Sequence, residues 1–148
     1  VAEPFGKRLA ADQVAHAIGR GLQASASIGN STRDGTRNST RDGTDAGALG
    51  VETYALQALP HDFEARMHRT RAVVIAAGKL DRHTLLQRGA VFETATKARQ
   101  GGVPCYAVTA KNALDAFEAR ILDLQVVLEA GDARALLAAG RELAKMVQ

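Results

Sequence analysis

The chain has 148 residues, 46% of them apolar, a formal net charge of +3 and a single cysteine. This size and apolar content suit one domain with one core, Cys105 alone excludes an internal disulfide, and no apolar run approaches the roughly 20 residues that span a bilayer. Aromatic residues make up only 4% with no Trp, and the basic residues are spread along the chain, so a base-stacking nucleic-acid platform is not indicated. The expectation is a cytoplasmic domain with a small-molecule partner, no nucleic acid and no membrane, because the opening VAEPFGKR also lacks the apolar core of a signal peptide.

VAEPF reads as the end of a strand, closed by Pro4 and released into a turn by Gly6. A helix is predicted over residues 10–23, where Val14, Ile18 and Leu22 recur every four positions beside Ala11 and Ala15. Lys7 and Arg8 stand at its front edge. A strand-to-helix turn with Gly and Lys can receive an anion, since first-turn amides lack intrahelical partners.

Residues 24–48 change to Ser, Thr, Asn, Asp, Gly and Arg without apolar periodicity, and NSTRDGT occurs twice, at residues 30–36 and 38–44. Neither copy has apolar side chains that stacking could bury, which argues against a solenoid. Each Asp-Gly favours a tight turn, so the segment is predicted to be a flexible connection within the domain.

VETYAL at residues 51–56 is β-rich, and Pro60 with Asp62 announces a brief helix carrying Phe63 and Met67. RAVVIAAGKLD follows, with Val73, Val74 and Ile75 in an uninterrupted apolar run, as expected for a strand covered on both faces. A turn is predicted over residues 78–81, then one helix from Thr84 or Leu85 to Gly101-Gly102, with Pro104 as a second stop. VPCYAVTA reads as the next buried strand, with a turn over residues 109–112. A helix over residues 113–120, the strand LQVVLEA and a helix over residues 133–146 complete the chain. Alternating strands and helices predict an α/β domain: a mostly parallel sheet with helices on both faces and ligands at the carboxyl ends of the strands. The turns at residues 6–7, 78–81 and 109–112 gather on that edge.

Gly78, Lys79, Leu80 and Asp81 join a glycine, a cation and a carboxylate directly after a buried strand. Such a group can hold phosphate through Lys79 while Asp81 accepts a proton or orients a hydroxyl. The alternative is that Asp81 or Thr84 caps the following helix. No GxxxxGK[ST] loop, Ser/His/Asp order or metal-ligand spacing occurs. His16, His61 and His68 suit surface or capping positions, and His83 lies in the turn after Asp81.

With these residues in hand, the chain resembles the bacterial-type glycerate kinases. VAEPFGKRLAADQVAHAIGRGL is similar to the family's opening strand, Ala-Pro-Asp-Ser-Phe-Lys-Gly-Ser turn and helix, with Pro4 one place later than the family's proline. GVETYALQAL, DFEARMHRTRAVVIAAGKLDRHTL, GGVPCYAV and LDLQVVLEAG resemble the family's later elements in order, and residues 78–84 match its Gly-Arg-Leu-Asp-x-Gln-Thr loop with Lys79 for arginine and His83 for glutamine. Ala76-Ala77 replaces the Gly-Glu pair before that loop, Arg8 replaces a serine, and residues 24–50 stand where the family places an entire second domain.

The resemblance implies a flavodoxin-like domain and ATP-dependent phosphorylation of glycerate or a related hydroxy acid, with ATP and magnesium as cofactors. It also implies Asp81 as the catalytic carboxylate, and Lys7, Arg8, Gly78, Lys79 and Thr84 as the substrate- and phosphate-binding set. The alternative kept open is a non-catalytic nucleotide-binding, anion-binding or assembly domain of that descent. A homodimer through the edge left by the missing domain is the expected assembly.

Overall fold

A computed structural model describes residues 1–5, 8–28 and 50–147, residues 25–28 by their backbone alone. Gly6, Lys7, both NSTRDGT copies and all but the first five residues of the expected connection lie outside the described residues. Those five belong to helix α1 (Ala11–Ile28), which therefore runs past the predicted end at Gln23. Ala and Ser at positions 24–27 do not stop a helix, although their lack of apolar periodicity hid it.

Three parallel strands form the centre of the sheet: β1 (Val73–Leu80), β2 (Cys105–Asn112) and β3 (Leu124–Glu129), in the order β1-β2-β3. On the far side of β1, residues 1–3 pair in parallel through Ala2 with Ala76, and through the same residue with Ala55. The backbone bonds are complete on both flanks. Glu3 N donates to Ala76 O at 2.9 Å and Ala76 N to Val1 O at 2.8 Å, while Ala2 N donates to Tyr54 O at 3.0 Å and Leu56 N to Ala2 O at 2.6 Å. Numbered along the chain, the five parallel segments lie in the order 2-1-3-4-5, the flavodoxin-like arrangement. Its direction of winding reverses between residues 1–3 and β1.

Helices cover both faces, as the alternation predicts. α1 and α6 (Ala133–Val147) lie over one, where Val14, Ile18, Leu22, Leu136 and Leu143 pack with Ala76, Tyr106 and Val108. On the other, Met67 of α2 (Phe63–Met67) and Val91, Ala95 and Ala98 of α4 (Ala90–Gln100) pack with Val73, Ile75, Ala77, Cys105 and Ala107. α1 and α6 approach each other through glycines. A Cβ on Gly21 would stand 2.2 Å from the carbonyl oxygen of Leu137, and one on Gly140 2.3 Å from that of Ile18.

Three local expectations change. The helix predicted after β1 is two helices, α3 (Arg82–Gln87) and α4, broken where Arg88 takes a left-handed conformation at φ 47°. The predicted turn at residues 78–81 is mostly strand, because Lys79 and Leu80 still pair with Lys111 and Asn112. Burial explains it: Leu80 is fully enclosed and its carbonyl accepts from Ala113 N at 2.7 Å. The turn at residues 109–112 is likewise the end of β2, and the next helix, α5 (Ala116–Ile121), starts three residues later than expected.

Candidate functional site at the sheet reversal point

The carboxyl ends of residues 1–3 and of β1 diverge where the winding reverses, and the crevice there is where an open parallel sheet receives its ligand. Side chains alternate between the faces of a strand. The pairing of Ala2 with Ala76 sets Glu3 beside Ala77 and the Gly78 amide, and Lys79 shares a face with its register partner Lys111 on the neighbouring strand.

Glu3 is half-buried. Its Oε1 accepts from the amide of Gly78 at 3.3 Å, a long bond, and burial raises its pKa above the ordinary carboxylate value despite that bond. This residue escaped the sequence reading because VAEPF was read for its Pro and Gly. The signal that could have found it is a charged residue at the last position of a buried strand.

Asp81 sits at the N-terminus of α3, and its Oδ1 accepts from Thr84 N at 3.0 Å and from Thr84 Oγ1 at 3.2 Å. Thr84 Oγ1 in turn accepts from Asp81 N at 3.2 Å, completing a reciprocal cap. The other oxygen, Oδ2, lies 3.1 Å from Lys79 Nζ. Bonding from Thr84 N, then Lys79, holds the Asp81 carboxyl below its ordinary pKa. Both Asp81 oxygens are thus engaged, and the capping alternative weighed on sequence grounds describes Asp81 and Thr84 together.

The sheet reversal brings Glu3, Gly78, Lys79, Asp81 and Thr84 to one edge. Arg8 is exposed in the turn that follows residues 1–3, a turn fixed by Phe5 N donating to Leu9 O at 2.9 Å and by burial of the Phe5 ring. Among the described residues no group of three or more His, Cys, Asp or Glu side chains could hold a metal ion. Cys105 is buried in β2 with its thiol pushed up to about 12 by desolvation, which leaves it without nucleophilic character at neutral pH.

A groove of about 850 Å³ opens elsewhere, at the amino ends of the strands between α1, residues 50–54 and the start of β1. On its rim Arg66 Nε donates to Asp62 Oδ2 at 2.7 Å, Arg66 Nη1 reaches Glu52 at 3.3 Å and Tyr54 Oη bonds to Glu52, while Arg69 and Arg71 line it as well. Size alone does not make it the site, since strand carboxyl ends, not amino ends, are where this topology exposes chain reversal and free polar groups.

These features define a flavodoxin-like α/β domain whose reversal point carries the half-buried Glu3 and the ion pair of Lys79 with Asp81. No protein-family model matches the chain, and no curated protein or solved structure matches it either.

Proposed function

We propose that the chain contributes the flavodoxin-like part of a glycerate-kinase-type enzyme, transferring the γ-phosphoryl group of ATP to glycerate or a related small hydroxy acid. The observation that carries this reading is the half-buried Glu3, held by the Gly78 amide at the sheet reversal point one residue before Lys79, with Arg8 exposed in the adjoining turn. Both substrates are anions, and phosphoryl transfer needs positioning and charge neutralisation more than covalent help from the protein. Lys79 and Arg8 neutralise phosphate and carboxylate oxygens. Lys7, implied by the resemblance and next to Arg8 in the sequence, adds a third cation. Glu3 takes the proton of the acceptor hydroxyl as its oxygen bonds to phosphorus. Asp81 has the supporting role of holding Lys79 and starting α3, and the Gly78 amide orients Glu3. ATP supplies the phosphoryl group together with its magnesium, and the described residues offer that ion no cluster of their own.

Coupled detection of ADP release with glycerate as acceptor tests the reading. Turnover is expected, and Glu3→Gln is expected to lower kcat about 100-fold, the low end of general-base contributions. Absence of glycerate-dependent ADP release would overturn it.

A second reading, a nucleotide- or anion-binding domain without turnover, is favoured by one observation: the carboxylate that the family resemblance marks as catalytic, Asp81, has both oxygens committed. Calorimetry with ATP, set beside the ADP assay with glycerate present, separates the two, because this reading requires binding heat while glycerate elicits no ADP release.

A further inference from the structure

We propose that Lys111 is a phosphate-binding residue, forming with Lys79 a two-lysine seat for the terminal phosphates of a polyphosphate ligand. This deepens the proposed function and rests on its placement of a polyphosphate at the carboxyl edge.

Lys79 and Lys111 are register partners on the parallel strands β1 and β2, whose backbones lie roughly 4.8 Å apart. Like charges set directly opposite each other destabilise a sheet unless something neutralises them. Lys79 has a partner in Asp81 at 3.1 Å. Lys111 has none among the described residues, although Glu129 stands close by in register as the partner of Thr109. Lys79 is thus neutralised, and Lys111 has no ion pair among the described residues.

The position of Lys111 is also built. Thr109, fully buried, donates its hydroxyl to Lys111 O at 3.0 Å and accepts from Lys111 N at 3.3 Å. That reciprocal pair fixes the Lys111 backbone while its side chain stays exposed. An anchored backbone under an uncompensated cation, beside a second cation on the same face, suits a phosphate group whose oxygens bridge the two.

Calorimetry with ATP and with inorganic pyrophosphate, run on the wild type, Lys111→Ala and the control Lys145→Ala, tests the inference. Lys145 is an exposed lysine at the end of α6, paired with Glu142. Lys111→Ala is expected to weaken both ligands about tenfold with an unchanged thermal midpoint, and Lys145→Ala to leave both unchanged. Wild-type affinity in Lys111→Ala would overturn the proposal. Equal weakening in Lys145→Ala would also overturn it, by showing a general charge effect. Loss of glycerate-dependent ADP release with pyrophosphate binding intact would refute the kinase reading alone, whereas a wild type that binds neither ligand would refute this one.

Discussion

Glu3 and Asp81 are two carboxylates a few residues from the same edge, driven in opposite directions by their surroundings. Asp81 collects hydrogen bonds from Thr84 and a charge from Lys79, which stabilise the ionised form. Glu3 gives up solvent for one long amide bond, which favours the neutral form. The consequences for stability have opposite signs. Asp81 binds its proton less readily when folded, so its contribution is present above the unfolded pKa and is lost as pH falls through the folded one. Glu3 binds its proton more readily when folded, so stability declines as pH rises from the unfolded value of about 4.5 through the raised folded value. Thermal midpoints measured across that window should therefore fall less steeply with rising pH in Glu3→Gln than in the wild type. Parallel profiles would show that Glu3 titrates at its ordinary value. The raised pKa also brings Glu3 nearer to neutrality, the range in which a general base works best.

At the scale of elements, the pairing of α1 with α6 depends on two glycines that no apolar periodicity marks. Gly21 and Gly140 let the helix backbones meet at a separation where a methyl group would overlap a carbonyl oxygen. Neither a rotamer change nor a small side-chain shift can relieve contact with backbone. Gly140→Ala should cost about 3 kcal/mol, at the upper end of overpacking penalties, even though alanine has the better helix propensity. Gly131→Ala, where nothing lies within 4 Å, serves as the control and should cost nothing. Urea unfolding of the two variants measures both. The break between α3 and α4 belongs to this scale as well. The sequence predicts one helix from Thr84 or Leu85 to Gly101-Gly102, and the left-handed Arg88 divides it.

Across the whole molecule, the core is two apolar clusters separated by the sheet, and Cys105 lies within the one beneath α4. Its thiol is almost fully enclosed and its pKa stands near 12. Reaction with a thiol-specific reagent at neutral pH should consequently require unfolding, and its rate should follow denaturant concentration as the unfolded fraction does. Fast labelling under native conditions would show local opening of β2. Helices on both faces make such an opening costly, because β2 is buried on both sides from Cys105 to Thr109.

The sequence by itself determined the α/β class, the identity of β1, β2 and β3, the two-faced helical cover and the edge on which Lys79, Asp81 and Thr84 lie. Strand-like apolar runs alternating with amphipathic helices are local patterns, and locality is what a sequence displays. The tertiary structure alone decided the 2-1-3-4-5 order, since the sequence marks VAEPF and VETYAL as strand-like but not that both pair through Ala2, with Ala76 and with Ala55. It also decided that residues 78–80 continue a strand, because burial of Leu80 outweighs the turn character of its neighbours. The candidate site moved for the same reason. Asp81 and its local partners Lys79 and Thr84 were legible in the sequence, but the arrival of Glu3 and Lys111 from strands 75 and 32 residues away depends on pairings between distant parts of the chain.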